Sequence, residues 1–227
     1  MKRVITVLLA VLLALSLAAC GSRVETKKLA GTWTCTIDVT DRMNAAAEQA
    51  LGLSAADGAA KMPLQLVLTV TEDGAYTLRY DSDAVRTALD AYAAALHPAA
   101  VESVYAAAEE QGFSREEYDA AMEKAGITMD DMVAAIFAGV DEEELLSLLT
   151  GRSAALTGYC RAEGGQLYLA DTAAELAETA DCLSYTLSDG TMTWTDAQGE
   201  LSSQLTEQEQ ELLRVPLTWT KQAEESK

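Results

Sequence analysis

The stretch at residues 29–39 constrains the fold more than any other, because apolar and polar side chains alternate strictly over residues 32–39. The apolar positions are Trp33, Cys35, Ile37 and Val39, and the positions between them are threonines and Asp38. A period of two, with many threonine and β-branched residues, predicts a strand that is buried on one face only. This strand is also the first element that we expect to be ordered after an export signal.

The N-terminus has the parts of such a signal. Lys2 and Arg3 are followed by an apolar run over 4–17 and by the sequence Leu-Ala-Ala-Cys at 17–20. The run is too short to span a bilayer stably, and its flanks are those of a signal peptide. The Leu-Ala-Ala-Cys sequence resembles the bacterial lipobox, in which the cysteine becomes the lipidated first residue of the mature protein.

This resemblance implies a lipid anchor. We expect a signal peptide at 1–19, lipid attachment at Cys20 and a polar tether at 20–28, because several acyl chains hold a protein on a membrane far better than one. The protein would then lie on the extracytoplasmic face of a bacterial cell membrane. A plain secretory signal that is cut elsewhere is the alternative.

The chain is strongly acidic. It has 16 basic and 36 acidic residues and a formal net charge of −20, and the loss of Lys2 and Arg3 with the signal changes −20 to −22. Such a charge repels nucleic acids and anionic membrane surfaces, so we expect no nucleic-acid partner. The roughly 200 residues that remain suit one domain with an insert, or two small domains.

The cysteine and histidine content argues against a metal centre and against most catalytic sites. The cysteines after the cleavage site are Cys35, Cys160 and Cys182, with no Cys-x-x-Cys spacing, and His97 is the single histidine. These counts exclude the usual His-rich metal sites and weaken a Ser-His-Asp triad. We expect three free thiols, no metal, no cofactor and no enzymatic activity.

His97 and Cys35 are the two residues with a conceivable catalytic role. His97 could act as a base, but its position before Pro98 favours the end of a helix, near the last carbonyl groups. Cys35 could act as a nucleophile, but no base accompanies it, and a buried thiol behaves as a small hydrophobic residue. We interpret both residues as structural.

Eight segments are predicted to be strands. They are residues 29–39, 64–70, 75–80, 154–162, 166–170, 183–187, 191–195 and 217–221. Tight turns follow the second, fourth and sixth of them, at Glu72-Asp73-Gly74, Glu163-Gly164-Gly165 and Ser188-Asp189-Gly190. Asp-Gly and Gly-Gly between alternating segments favour β-hairpins.

The other connections are long and predicted to be helical. They cover residues 41–61, 82–151, 172–179 and 206–215. In the longest of them, the insert at 82–151, we predict one helix over 83–96 that ends at His97-Pro98 and a second helix over 99–111.

Three similar units follow within the insert. They begin at Gly112, Gly126 and Gly139, and each has a glycine, an apolar residue, then Ser, Thr or Asp, and an acidic pair. The glycine ends one helix, the apolar residue packs on it, and the Ser, Thr or Asp caps the next helix. The acidic residues could instead be metal ligands, but helix capping explains every position.

The alternation of short and long connections predicts the architecture. In an up-and-down meander, successive connections lie at opposite ends, so all the hairpins share one end and all the helical segments share the other. We therefore predict an α+β fold: a small up-and-down antiparallel β-barrel of about eight strands, capped at one end by the large helical insertion at 82–151. An open sheet with a separate helical domain is the alternative.

The β portion resembles the lipocalin-like (calycin-type) barrel of bacterial lipoproteins. Gly31-Thr32-Trp33 in the first strand and Leu-Thr-Trp-Thr-Lys at 217–221 in the last match that pattern, together with the lipobox and the eight strands. The resemblance covers residues 29–80 and 153–221. It implies a barrel domain at 29–221, followed by a tail at 222–227.

Closure of this barrel would place the last strand beside the first. The parity of the last strand puts Trp219 and Lys221 on the side of Trp33. We expect these three residues to close the barrel, with a cation–π contact between Lys221 and Trp33.

The candidate ligand site lies at the helical end. We expect a filled core near the hairpins, and a helix-covered mouth at which a small apolar ligand binds. The possible lining residues are Tyr76, Tyr80 and Trp194 on the strands and Met132 and Phe137 on the insert. The alternative is an envelope protein–protein interaction module with a filled barrel and no ligand.

Overall fold

Strands and helices are defined over most of the chain from residue 25 onward. The computed structural model describes residues 25–53, 61–137, 147, 155–179, 182–198 and 213–223. The strands are β1 (Gly31–Asp38), β2 (Pro63–Val70), β3 (Ala75–Tyr80), β4 (Leu156–Glu163), β5 (Gln166–Ala170), β6 (Cys182–Ser188), β7 (Thr191–Gln198) and β8 (Leu217–Lys221). The helices are α1 (Thr40–Leu51), α2 (Ser82–Glu110), α3 (Arg115–Ala125) and α4 (Met129–Phe137), with a 3₁₀ turn at Glu175–Ala177.

The eight strands form a closed barrel in sequence order, and β1 pairs antiparallel with β8. The α+β class and the up-and-down barrel with a long helix between β3 and β4 are therefore confirmed. Several predicted elements lie wholly or partly outside the described residues: the signal with Cys20, the second half of the helical segment at 41–61, the helix at 206–215 and the third unit from Gly139. Of the helix at 206–215, residues 213–215 are described and are not helical. The lipid anchor thus stays a prediction.

The chain divides into two compact units. The barrel unit contains the described parts of residues 25–35, 66–80 and 155–223, and so most of the strand residues. The helical unit contains the described parts of 36–65 and 81–147, and so all four α-helices. The predicted covering of the barrel mouth by the insert stays a prediction.

The three hairpin turns are joined to the barrel in the same way. In each, the carbonyl of the turn glycine accepts a hydrogen bond from a backbone N–H of a later strand. The pairs are Gly74 with Cys160 at 2.7 Å, Gly165 with Tyr185 at 2.9 Å, and Gly190 with Lys221 at 2.8 Å. This repeated bond confirms that the hairpins lie at one end, called here the hairpin end.

A helical turn at 25–29 is bound to the hairpin end. The carboxylate of Glu25 accepts the N–H of Gly164 at 2.8 Å, and the hydroxyl of Thr26, which is 6 % exposed, accepts the N–H of Ala162 at 3.0 Å. These residues lie within the predicted tether, so its last part, at least from residue 25, belongs to the barrel unit.

The alternation in β1 has the predicted effect on burial. Trp33, Cys35 and Ile37 are buried, whereas Thr36 and Asp38 between and after them are exposed. The same alternation in β8 buries Leu217 and Trp219. Large apolar side chains of β1 and β8 therefore face the barrel interior, as burial of apolar surface requires.

Helix α2 is continuous through Pro98, so the predicted helix end at His97-Pro98 is wrong. Proline within a helix costs about 3 kcal/mol, because it removes a backbone hydrogen bond and crowds the preceding turn. Leu96 and Ala100, on either side of it, are 1 % and 0 % exposed. Their packing offsets the local cost and holds both halves of the helix in line.

The first two repeated units of the insert are helix caps, as predicted. Gly112 and Gly126 have positive φ angles of 89° and 69°. Ser114 and Glu117 form a reciprocal capping box at α3. At α4, Thr128 accepts the N–H of Asp131 at 3.1 Å, and the carboxylate of Asp131 accepts the N–H of Thr128 at 2.9 Å.

The apolar residues of these two units do not pack as predicted. Phe113 and Ile127 make the expected backbone hydrogen bonds to Ala108 and Met122, but their side chains remain 47 % and 42 % exposed. The glycine turn needs only the backbone bond to form, so the side chain is free to face solvent.

Candidate functional site

The barrel closes through Trp33 and Lys221, as predicted. The two residues are directly opposite in the β1–β8 register, and the ammonium of Lys221 lies 5.3 Å from the ring centroid of Trp33. The indole N–H of Trp33 donates to the carbonyl of Leu29 at 2.7 Å. A Cβ on Gly31 would lie 2.7 Å from Cε of Lys221, so glycine leaves room for the lysine to cross.

Trp219 has a second role that its parity alone did not indicate. It packs against Trp194 of the neighbouring strand, with ring centroids 4.8 Å apart and an angle of 46° between the planes. The two side chains are 0 % and 7 % exposed and alternate with more exposed threonines, so both face the interior of the barrel. Trp194, predicted as a ligand-lining residue, thus shares one wall with Trp219.

Both indole N–H groups of this pair lack a hydrogen-bond acceptor. Indole is a donor only, and buried donors are nearly always paired in folded proteins. The N–H of Trp33, by contrast, is paired with Leu29. Nε of Arg161, on β4 close to the turn at Gly164, is a third buried donor without an acceptor, so unpaired donors also occur near the hairpin end.

Tyr76 and Tyr80 lie on β3, where Tyr76 is buried and Tyr80 is half-buried. Tyr76 is directly opposite Gly158 of β4. A Cβ on Gly158 would lie 2.9 Å from the Tyr76 hydroxyl and 2.5 Å from the carbonyl oxygen of Ala170. Glycine at 158 therefore leaves room for the Tyr76 ring to approach β4 closely.

The two lining residues predicted on the insert belong to the helical unit. Met132 is half-buried on α4, and the side chain of Phe137 lies outside the described residues. The buried neighbour Val133 packs with Leu53 and Ala100. The contribution of Met132 and Phe137 to a ligand site stays a prediction.

Cys35, Cys160 and Cys182 are free and buried, as predicted. Burial raises the pKa of Cys160 to about 12. Burial also raises the pKa of Cys35, although a backbone hydrogen bond from Thr218 acts in the opposite direction. Because the thiolate is the nucleophilic form, a raised pKa makes these two thiols unreactive at neutral pH.

His97 does not end a helix, since α2 continues past it. Its Nε2 atom lies 3.0 Å from a carboxylate oxygen of Asp130 on α4. The side chains of the two residues are 40 % and 86 % exposed. The pair is an exposed polar contact between two helices of the helical unit, and it has none of the surroundings of a catalytic base.

The described residues show neither a metal-binding cluster nor a membrane-spanning helix. Among the described residues, no group of three His, Cys, Asp or Glu side chains could hold a metal ion. In the same part of the chain, no helix combines the length and apolar character needed to cross a membrane. Comparison with protein-family models, with curated proteins and with solved structures finds no match. The closed antiparallel barrel with its helices is compatible with a lipocalin-like fold.

Proposed function

We propose that this protein is a lipid-anchored extracytoplasmic binding protein whose barrel takes up one small, mainly apolar molecule. The observation that carries the proposal is the closed eight-stranded barrel, with Trp194 on its inner face. Barrels of eight strands are either filled by side chains or hold a single small ligand. Ligand sites of this kind combine aromatic walls with a few polar groups.

The ligand enters at the end opposite the hairpins. The hairpin end is occupied by the helical turn at 25–29, which is held through Glu25 and Thr26. Trp33, Leu29 and Lys221 fill the space beside it. These contacts support a filled core at one end and leave the other end for exchange of a ligand.

Binding rather than catalysis is proposed because the candidate catalytic residues lack the required chemistry. The pKa of Cys35 and that of Cys160 are raised by burial, so neither is an activated nucleophile. His97 lies on an exposed helix face beside Asp130. Neither of these two cysteines nor His97 therefore forms an activated nucleophile with a base beside it.

The anchor is proposed from the lipobox-like sequence at 17–20. Glu25, five residues beyond Cys20, is bound at the hairpin end, so an anchored protein would hold that end toward the membrane and the other end away from it. Replacement Cys20→Ala should abolish metabolic labelling with a fatty-acid analogue. Labelling of the variant at the level of the unchanged protein would contradict the anchor.

The ligand proposal is tested with N-phenyl-1-naphthylamine, a small apolar fluorescent probe. We expect saturable binding by the purified protein, with a rise in probe fluorescence and quenching of tryptophan emission. Met132→Ala tests the predicted contribution of the insert, with Met122→Ala on α3 as the matched methionine control. Absence of saturable binding would contradict the ligand proposal.

The alternative is an envelope interaction module, and the exposure of Phe113 and Ile127 favours it. Large apolar side chains in a strongly acidic chain are natural anchor points for a partner protein. A photo-crosslinking residue at position 113 or 127 should then give a defined product in producing cells. The exposed position Thr87 serves as a control, and equal products at all three positions would contradict this role.

A further inference from the structure

We propose that the hairpin end of the barrel rests on the surface of a zwitterionic phospholipid bilayer, with the side chain of Leu187 at the interface. The inference rests on the lipid anchor in the proposed function, and it adds the surface that the anchored barrel presents to the membrane. It is independent of what the barrel binds.

The helical turn that begins at Glu25 fixes the start of the barrel at the hairpin end. The hydroxyl of Thr26 is buried and accepts the N–H of Ala162 at 3.0 Å. The ammonium of Lys27 lies 3.2 Å from the carboxylate of Glu72, in the first hairpin turn. These contacts add to the hydrogen bond of Glu25 at the same end, so the chain enters the barrel there.

The chain between the predicted anchor and this turn is short. Four residues, 21–24, separate Cys20 from Glu25. A fully extended chain covers at most about 3.6 Å per residue, so the two residues are at most about 18 Å apart. In the anchored protein, the hairpin end is therefore the part of the barrel nearest to the bilayer.

The charges at the hairpin end are nearly balanced. The described side chains on its turns and at its rim are four basic and five acidic ones: Lys27, Lys28, Arg161 and Lys221, and Glu25, Glu72, Asp73, Glu163 and Asp189. The described part of the helical unit has 15 acidic and 5 basic residues. A surface with balanced charge needs no charged lipid as its partner, so this end fits a zwitterionic bilayer.

Leu187 supplies an apolar contact at this end. It precedes the turn at Ser188 and is 37 % exposed, whereas Met192, its partner on β7, is 0 % exposed. Among the described residues of the barrel unit, no other large apolar side chain is as exposed.

A lysine accompanies this leucine. The backbone N–H of Lys221 donates to the carbonyl of Gly190 in the same turn at 2.8 Å, and the side chain of Lys221 is exposed. Lysine places its alkyl chain along apolar surface and keeps its ammonium in water or among lipid headgroups. Leucine beside lysine is thus a combination suited to the interface of a bilayer.

The experiment measures the distance of each barrel end from the lipid. The full chain with lipid at Cys20 is reconstituted in phosphatidylcholine vesicles that contain a nitroxide-labelled lipid. Ser188→Cys carries a fluorophore at the hairpin end, and Asp171→Cys, just after β5, carries it at the opposite end. Both positions are exposed, whereas the native thiols at 35, 160 and 182 are buried.

We expect the nitroxide lipid to quench the fluorophore at position 188 at least threefold more than the one at position 171. Equal quenching at the two positions would overturn the inference but leave the anchor intact. A chain that does not associate with the vesicles would overturn the anchor and the inference together. Binding of N-phenyl-1-naphthylamine, measured on the same sample, tests the ligand proposal separately.

Substitution of Leu187 separates contact from mere proximity. Leu187→Asp should lower the quenching at position 188 severalfold, because a charged side chain at this place opposes contact with the bilayer. Leu187→Met keeps an apolar side chain and is the matched control, which should leave the quenching unchanged. Unchanged quenching in Leu187→Asp would overturn the inference, since the short tether alone would then hold this end near the lipid.

Discussion

The contacts within the barrel unit differ in kind from the contacts within the helical unit. In the barrel unit, Trp33 and Trp219 are at most 1 % exposed, and every strand is hydrogen-bonded to two neighbours. In the helical unit, one buried cluster joins Leu53, which follows α1, to Ala100 of α2 and Val133 of α4. Large apolar side chains are buried in both units, so the units differ in how their elements are joined: by strand pairing in one, and by side-chain contacts between helices in the other.

Polar side chains make several of the contacts between α2 and α3. The hydroxyl of Tyr105 donates to Asp119 at 2.8 Å, and the guanidinium of Arg115 lies 2.7 Å from Glu102 and 4.7 Å from the centroid of Tyr105. Met122 is the buried residue of α3. Exposed ion pairs contribute little to stability, so α3 should open locally before the barrel unfolds.

The largest effect is expected from Trp33→Ala in the barrel unit. The substitution removes a buried ring and the hydrogen bond to Leu29, and it should lower the free energy of unfolding by about 3–5 kcal/mol, measured by urea denaturation. Lys221→Met is the control that keeps the alkyl chain near the ring but removes the charge. It should cost about 0.5–1 kcal/mol, and an equal loss in both variants would contradict the comparison.

A smaller effect is expected from Gly158→Ala. The added Cβ would lie 2.5 Å from a backbone oxygen that cannot move freely and 2.9 Å from the Tyr76 hydroxyl. Overpacking of this kind should lower the free energy of unfolding by about 1–3 kcal/mol in urea. Thr157→Ala, at the exposed neighbouring position, is the control, and a Gly158→Ala variant as stable as this control would show that β4 can shift.

A local effect of about 1 kcal/mol is expected from Ser114→Ala, which removes the cap of α3. Hydrogen exchange should become faster in residues 115–125 and stay unchanged in β1 and β8. Ser114→Asp, which keeps a capping acceptor, should restore much of the protection. Faster exchange throughout the barrel unit would mean that the two units are not separable in stability.

The smallest effect on stability is expected when the pH is lowered. Hydrogen bonds from Ser114 lower the pKa of Glu117, and hydrogen bonds from Thr128 lower that of Asp131. Because the folded pKa is the lower one, the caps stabilise their helices at neutral pH. That stabilisation is lost as the pH falls below the ordinary values of 4.5 and 3.8.

Hydrogen exchange of residues 114–137 between pH 6 and pH 3 would measure this loss, with correction for the intrinsic pH dependence of exchange. Glu117→Gln with Asp131→Asn should remove the extra acid dependence. Tryptophan emission, which reports only on the barrel unit, should stay constant over the upper part of that range. A change in tryptophan emission at a higher pH than the change in hydrogen exchange of the helices would contradict this prediction.

The barrel was predictable because its signals are local and agree with one another. Alternation around Trp33 and the glycine turns at Gly74 and Gly190 define strands and hairpins, and strand parity then places Lys221 opposite Trp33. The helix break at Pro98 was wrong because a local rule was outweighed by the burial of Leu96, which no local pattern reveals.

The candidate site was only partly predictable. The sequence identifies Trp194 as inward-facing, but its contact with Trp219 depends on the register between β7 and β8. Whether an indole N–H is hydrogen-bonded depends on the distance between donor and acceptor to within a few tenths of an ångström. Sequence patterns do not predict such distances. The binding of Thr26 to Ala162 is equally non-local, since it joins residues 136 positions apart.

The pairing of β1 with β8 has a consequence for the order of folding. The side chain of Gln222 donates to Thr34 across 188 positions of sequence, so the barrel cannot close until nearly the whole chain is available. The contact between Tyr105 and Asp119 spans only 14 positions and can form much earlier. A chain that ends before residue 217 would keep its helices but present β1 and β7 as open edges, and such edges pair between molecules.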